Sequence, residues 1–261
     1  MPRVGPVSHE DRLTLVEHLD ELRTRLIWSL VALGIAFAVC FWQNDRILDV
    51  INKPLPDHLA HPITFGVAEP FTTTVTVSAY AAILIAMPFI LYQLYAFVLP
   101  AFNPGERKVA LPLLMMIPVL FIAGVVFGYF VVLPAAVKFL LNFNDSQFNI
   151  QVRAKDYYSF VLMTLIAMGL VFQVPVGILA ITRLGITTPE QLAKNRRYAY
   201  VIIAIVAAAL PGTDPVSMLV EMVPLVVLFE GSLVLARFFG RPADRPVTAE
   251  APPGGPSGEA A

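Results

Sequence analysis

The sequence predicts an all-α polytopic membrane protein with six transmembrane helices, both termini cytoplasmic and the last two spans short. Hydrophobic residues make up 57% of the 261 residues and charged residues only 14%. A soluble domain of this length could not bury that much apolar surface. The apolar residues come in long blocks, as membrane-spanning helices require. The net charge of −1 gives no overall attraction to nucleic acid.

Residues 1–25 predict a cytoplasmic amphipathic helix that leads directly into the first span. Ser8 is the expected N-cap, with Asp11 three residues later as the acid of a capping box. Glu21 lies beside an apolar stripe and can pair with Arg25 four residues on, so the plainest interpretation is an interfacial anchor. The stripe consists of leucines at helical spacing, Leu15, Leu19, Leu22 and Leu26.

Six apolar segments follow and define a membrane domain over residues 26–239. The fifth would be only about 20 Å long as a helix, against a hydrocarbon core of about 30 Å. A Pro-Gly-Thr-Asp-Pro turn at 211–215 follows it directly, and Glu221, Pro224 and Glu230 interrupt the sixth segment. Both are therefore expected to be short. The predicted spans are Leu26–Trp42, Thr72–Leu99, Val109–Leu133, Tyr157–Thr182, Tyr198–Leu210 and Val216–Phe239.

The connections and the C-terminal tail offer few candidates for a site. His58 and His61 are three residues apart, but no third ligand is fixed nearby, so a metal site is not expected there. Ala135–Asp156 is expected to be a mixed loop. Its first part, through Leu141, is amphipathic enough to form a surface helix. The tail, residues 240–261, is rich in Pro, Gly and Ala and is expected to be disordered.

The distribution of basic residues predicts the orientation. Lys and Arg concentrate in the N-terminal segment, in the connections after the second and fourth spans, and in the C-terminal tail. By the positive-inside rule these segments face the cytoplasm. The chain is therefore expected to be a multi-pass protein of the cytoplasmic (inner) membrane with both termini inside.

A few polar residues lie inside the apolar segments, where each would be costly against lipid and is a functional candidate. For Gln173 the alternative is a helix–helix hydrogen bond within the bundle. Asp214, Ser217 and Glu221 share one helical face, and this face is expected to dock a polar residue of a partner helix. The alternative is that Glu221 pairs inside the bundle.

The sequence contains no hydrolase, metalloprotease or phosphate-binding motif, so no catalytic residue, metal or cofactor is expected. An ion-coupled small-solute secondary transporter is the alternative class of function. Such proteins carry internal repeats and a polar site at the membrane midplane, and no repeat is visible. Glu230 is expected to be an interfacial carboxylate near Arg237.

Ordered motifs extend from about Glu17 to Arg237. The N-terminal helix contains His18-Leu19-x-Glu21-Leu22-Arg23-x-Arg25-Leu26. The region after the second span contains Leu91-Tyr92-Gln93-x-Tyr95-Ala96-Phe97, Pro100 and Glu106-Arg107. Later motifs are Tyr129-Phe130-x-Val132-x-Pro134, Phe172-x-Val174-Pro175-Val176 and Gly185-Ile186-Thr187-x-Pro189-Glu190. Together these motifs resemble the TatC family, the polytopic subunit of the twin-arginine protein translocase.

The resemblance implies a receptor for folded proteins whose signal peptide carries two consecutive arginines, and it implies no enzyme activity. Such a protein works with TatA-like and TatB-like single-span partners in an oligomeric complex, and the proton gradient supplies the energy. A competing interpretation makes Glu21–Arg25 and Glu106–Lys108 merely local surface pairs. The signal-peptide site implied by the resemblance consists of Glu21, Arg23, Phe97, Pro100 and Glu106.

The chain departs from the family pattern at two positions in the membrane. The family commonly has a glutamate where this chain has Gln173, so a titratable group is missing there. A common glutamine near the start of the sixth span is replaced by Met218, and Glu221 appears one turn later. The polar patch that binds partners is therefore expected to be rearranged, with Gln173, Asp214 and Glu221 as its members.

Overall fold

The computed structural model describes residues 9–98, 107–144, 146–148, 150–183, 186–211 and 215–239, and this part of the chain is helical and contains no β-strand. A single parallel bridge joins Ile63 and Arg153. The helices are α1 (His9–Trp42), α2 (Asn44–Asn52), α3 (Glu69–Val98), α4 (Arg107–Phe127), α5 (Leu133–Asn142), α6 (Ala154–Val171), α7 (Val174–Arg183), α8 (Pro189–Lys194), α9 (Arg196–Ala209) and α10 (Pro215–Phe239).

Five helical segments in the described part are long and apolar enough to cross a membrane. The short fifth apolar run is confirmed as α9, whose 14 residues give a helix of only about 21 Å. The expectation that the sixth run is short is wrong, because α10 is an unbroken helix of 25 residues. Pro224 lies inside this helix without breaking it. Glu221 faces the protein interior and is 1% exposed.

The predicted surface helix and the first span form one continuous helix, α1, of 34 residues. The proposed N-cap, Ser8, lies outside the described residues. Leu19, Leu22 and Leu26 remain exposed, which fits a stripe that faces lipid rather than protein. The start of α1 and the end of α3 lie together and define what we term the Glu21 end of the bundle. The opposite end, with the start of α3, is the Glu69 end.

The third span is longer than predicted. The helix expected through Leu141 at the start of Ala135–Asp156 is present, but it continues the third span and is not a separate surface helix. A turn of π-helix, Gly128–Val132, joins α4 directly to α5, and the helical segment ends at Asn142. Pro134 does not end the helical segment, because it follows the turn of π-helix directly, and the regular ladder that its missing N–H would interrupt is already displaced there.

The fourth span is broken once, between α6 and α7. Pro175 has no N–H to offer the carbonyl of Val171, so the regular ladder fails at this point. The Gln173 N–H bonds instead to Leu170 O at 2.9 Å, and Gln173 O accepts from the Gly177 N–H at 2.9 Å. The two helices still make up one apolar segment, Ala154–Arg183.

Two hydrophobic clusters hold the bundle together. One is built around Ile117, Phe121, Leu179 and Phe229 from α4, α7 and α10; the other surrounds Val161 on α6 with residues from α1, α2, α3 and α5. The helices α4 and α6 approach very closely beside the first cluster. A Cβ atom added to Gly169 would lie 2.5 Å from the ring of Phe121, and one added to Gly124 would lie 2.6 Å from the Met168 carbonyl oxygen. These two glycines therefore set the distance between the helices.

Candidate functional site

A charged cluster lies at the Glu21 end, where α1 meets α3. Arg25 donates from Nη2 and Nε to the same oxygen of Glu21, Oε1, at 2.6 and 3.0 Å. Its remaining nitrogen, Nη1, donates to Gln93 Oε1 on α3 at 2.9 Å. The side chains of Glu21 and Arg25 are 35% and 26% exposed. The cluster is therefore partly desolvated but open to an arriving ligand.

An aromatic surface lies beside this carboxylate. The ring of Phe97 stacks on the ring of His18, with centroids 4.2 Å apart and an angle of 11° between the planes. His18 Nδ1 is also 3.7 Å from Glu21 Oε2. A cavity of about 160 Å³ opens next to the cluster between α1 and α3, and it is lined mainly by apolar side chains, with Leu22, Leu26, Ile90 and Leu94 beside Arg25, Gln93 and Phe97.

The structure places the sequence-predicted site residues unequally. Glu21 and Phe97 come together, since both contact His18. Arg23 is exposed and makes no ion pair within the described part of the chain, so it is Arg25 that holds the carboxylate. Pro100 and Glu106 lie outside the described residues.

Sequence reasoning assigned no role in the site to His18 or Gln93. Both stand in the conspicuous motifs, His18 at the first position of one and Gln93 in the middle of another. The contact between Arg25 and Gln93 spans 68 residues of sequence, and helical periodicity does not report such a contact. The Glu21–Arg25 pair itself has the i,i+4 spacing predicted for a local surface pair.

Gln173 forms the helix–helix hydrogen bond that was one of its two predicted roles. Its Nε2 donates to Ile117 O on α4 and to Gly169 O on α6, each at 3.3 Å. The second bond satisfies a carbonyl that lost its usual N–H partner where α6 breaks. Gln173 Oε1 is buried and has no hydrogen-bond partner in the described part of the chain.

The polar face predicted on α10 points into the bundle. Ser217 and Glu221 are each 1% exposed, whereas Leu219 and Val223 on the other side of the helix are 60% and 63% exposed. Asp214, the third member of this face, lies outside the described residues. Glu221 is thus buried by this chain itself.

Glu230, which was expected to be an interfacial carboxylate near Arg237, joins α10 to α9. Arg196 Nη2 lies 2.9 Å from Glu230 Oε2, and the Tyr200 hydroxyl donates to Glu230 Oε1 at 2.6 Å. Both partners lie on α9, at the end where α10 finishes. These contacts join two helices, so the spacing of residues within α10 could not predict them.

A second charged cluster lies at the Glu69 end. Arg153 Nε donates to Glu69 Oε1 at 2.7 Å, and Glu69 Oε2 accepts from the backbone N–H groups of Phe65 and Gly66 at 2.8 and 3.1 Å. The hydrogen bond that Arg153 donates to Glu69, together with the negative charge of Glu69, raises the pKa of Arg153, so that residue stays charged. This cluster ties the connection before α3 to the connection before α6.

These features define a class of protein: a polytopic helical membrane protein with a partly exposed carboxylate and an aromatic ring at one end of its bundle. No group of three or more His, Cys, Asp or Glu side chains that could hold a metal occurs among the described residues. The arrangement fits recognition of a cationic ligand by charge and shape.

The family model for the Sec-independent protein translocase protein TatC matches residues 17–224, and the chain belongs to this family. It is 37% identical over 231 residues to the TatC protein of Carboxydothermus hydrogenoformans, covering 88% of this chain and 95% of that one. It is 34% identical over 236 residues to the TatC protein of Escherichia coli, covering 89% and 92%. A crystal structure of the twin arginine translocase receptor TatC in DDM superposes with a TM-score of 0.74 at 34% identity, covering 84% of this chain and 98% of that one.

The family consists of protein translocase components rather than enzymes. The solute-transporter alternative therefore loses its support. The resemblance seen in the sequence motifs is confirmed over most of the chain.

Proposed function

We propose that this protein is the signal-peptide receptor and core subunit of a twin-arginine translocase, which exports folded proteins across the cytoplasmic membrane at the expense of the proton gradient. The observation that carries the proposal is the Glu21 carboxylate, which is partly exposed and lies beside an aromatic ring and an apolar cavity. Arginine pairs with a carboxylate through two parallel N–H groups, and lysine cannot reproduce that geometry.

In this proposal the signal peptide lies between two elements of the chain. Glu21 on α1 and Glu106 in the connection after α3 each accept one guanidinium of the arginine pair. Phe97 and Pro100 provide an apolar wall for the neighbouring hydrophobic residues of the signal. Arg23, exposed on the same helix, repels cations that approach in the wrong register.

The membrane arrangement belongs to the same proposal. The five long segments together with α9 form six spans, both termini face the cytoplasm, and the short α9 thins the membrane locally at the Glu69 end. The protein assembles with further copies of itself and with TatA-like and TatB-like single-span proteins. Their docking region is the surface around the polar residues Gln173, Asp214 and Glu221.

Direct binding of signal peptides to the purified protein tests the receptor role. A labelled twin-arginine peptide should bind more tightly than the same peptide with two lysines. Glu21→Gln and Glu106→Gln should each raise the Kd for the arginine peptide about fivefold, the change that ~1 kcal/mol produces for a partly exposed ion pair. Glu21→Ala and Glu106→Ala should have a similar effect while the protein still inserts and assembles.

Asp20→Asn is the matched control, since Asp20 is an exposed carboxylate next to Glu21 whose side chain lies outside the cluster. It should change the Kd little. Equal binding of the arginine and lysine peptides to the unmodified protein would refute the receptor role. An unchanged Kd in both Glu variants would do the same.

A further inference from the structure

Both groups that would recognise an arginine are covered by side chains of the chain itself. Arg25 places two of its nitrogens on Glu21 Oε1, one of the two carboxylate oxygens that the paired N–H groups of an arriving guanidinium would use. The ring of His18 lies flat on Phe97, on a face where a guanidinium would stack. The described site is therefore already occupied by two basic side chains of the same chain.

We propose that Arg25 is an internal competitor for the signal peptide: it occupies Glu21 in the absence of cargo and must leave that carboxylate when a guanidinium arrives. This inference rests on the receptor function proposed above and adds a regulatory residue to it. In this role Arg25 lowers the affinity of the site for every cationic ligand. Only ligands that make many favourable contacts then reach high occupancy.

The geometry of Arg25 suits an exchange. Its Nε and Nη2 both contact one oxygen of Glu21, while its Nη1 contacts Gln93 on the neighbouring helix. Arg25 can therefore release Glu21 and still donate a hydrogen bond to the neutral side chain of Gln93. Gln93 is the residue that receives the displaced guanidinium.

The partial exposure of the pair keeps the cost of exchange low. The side chains of Glu21 and Arg25 are 35% and 26% exposed, and ion pairs with access to water contribute little stability. A competitor that occupies a site reduces the apparent affinity of a ligand by the fraction of time the site is free. The reduction applies to all ligands that use Glu21.

The competing explanation is that Arg25 is a positioning residue that holds Glu21 ready for the signal. The two roles predict opposite signs. If Arg25 competes, its removal tightens signal binding, whereas if it positions Glu21, its removal weakens binding. Removing a positive charge also favours any cationic peptide at long range, so the experiment must subtract that effect.

A double-mutant cycle on the full-length protein makes this subtraction. The Kd of a labelled twin-arginine peptide is measured for the unmodified protein, Arg25→Met, Glu21→Gln and the double variant. In the Glu21→Gln background Arg25 has no carboxylate to vacate, so its removal reports only the long-range charge effect. We expect Arg25→Met to lower the Kd at least about threefold more with Glu21 present than with Gln at that position, within the range that one partly exposed ion pair allows.

Arg25→Lys gives a second measurement that does not depend on the charge change. Lysine keeps the charge but holds Glu21 through fewer contacts, so the Kd should again fall. The competitor role is wrong if Arg25→Met or Arg25→Lys weakens binding in the presence of Glu21. It is also wrong if Arg25→Met changes the Kd equally in the presence of Glu21 and in the Glu21→Gln background. If neither Glu21→Gln nor Glu106→Gln changes the Kd, the receptor proposal fails. If Glu21→Gln weakens binding but Arg25→Met lowers the Kd no more with Glu21 than with Gln at that position, only the present inference fails.

Discussion

Arg153 Nε donates a 2.7 Å hydrogen bond to Glu69 Oε1 and thereby links two connections that lie 84 residues apart in the chain. The same carboxylate accepts two backbone N–H groups. Glu69→Ala should lower the melting temperature of the protein, because it removes the acceptor for three donors at once. Thermal unfolding in detergent, followed by size exclusion, measures the change.

Asp156→Asn is the matched control for this cluster. Asp156 is 70% exposed and lies 3.9 Å from Arg153, so its removal should change the melting temperature much less. Equal losses in the two variants would mean that the carboxylate of Glu69 has no special structural role.

The contact between α4 and α6 gives a prediction about packing. Gly124→Ala and Gly169→Ala should each destabilise the protein by about 1–3 kcal/mol, because the added methyl groups have no space. The atoms they would meet are the Met168 carbonyl oxygen and the ring of Phe121, which is 1% exposed. The free energy of unfolding can be measured by denaturant titration in mixed micelles.

Gly177→Ala provides the control for the glycine variants. A Cβ atom at Gly177 would have no neighbour within 4 Å, and alanine is the better helix former by about 0.5–1 kcal/mol. This variant should be as stable as the parent or more stable. Destabilisation of Gly177→Ala to the same extent would show that the effect does not come from helix approach.

The ion pair between α9 and α10 predicts local rather than global effects. Glu230→Gln should speed backbone hydrogen exchange in α9, since it weakens the contacts with Arg196 and Tyr200 that hold this short helix. Arg237→Gln serves as the control, because Arg237 forms no ion pair with Glu230 among the described residues. If Arg237→Gln loosened α9 as much as Glu230→Gln does, the pairing described here would be wrong.

The helices were predictable from the sequence because membrane spans must be long apolar runs. The boundaries were less predictable where proline had two possible effects. Pro134 lies in the first turn of a helix and leaves the third span unbroken, whereas Pro175 ends a hydrogen-bond ladder and breaks the fourth. Whether a proline continues or interrupts a helix depends on the conformation of the turn before it, and local composition does not predict that conformation.

The candidate site was predictable only in its local part. The Glu21–Arg25 pair follows from i,i+4 spacing within one helix. The contacts of Arg25 with Gln93 and of His18 with Phe97 join α1 to α3 and depend on how those helices cross. The same reason explains Glu230, which had Arg237 available at short range but pairs with Arg196 on another helix.

The length of α9 predicts a local dent in the membrane. Its 14 residues fall about 10 Å short of a hydrocarbon core of about 30 Å. A spin label at Leu210 in a nanodisc should therefore collide with a water-soluble relaxant less often than a label at the exposed His58. A label at Ile202, in the middle of α9, should have the lowest collision rate. Equal rates at Leu210 and His58 would contradict the dent.

The edge of the polar face on α10 gives a prediction about partners. Met218 and Met222 are half-buried and lie beside Glu221, so photocrosslinkers at these positions reach outward from the polar patch. We expect crosslinks from both to a co-expressed TatA-like or TatB-like single-span protein, because this half-buried edge is the part of the face that a helix in the membrane can reach. Val227, which is 64% exposed, lies on the opposite side and should crosslink little. Glu221→Leu should lower the yield at Met218 and Met222 without changing it at Val227. A partner crosslink at Val227 alone, or at none of the three positions, would mean that this edge of α10 does not receive a partner helix.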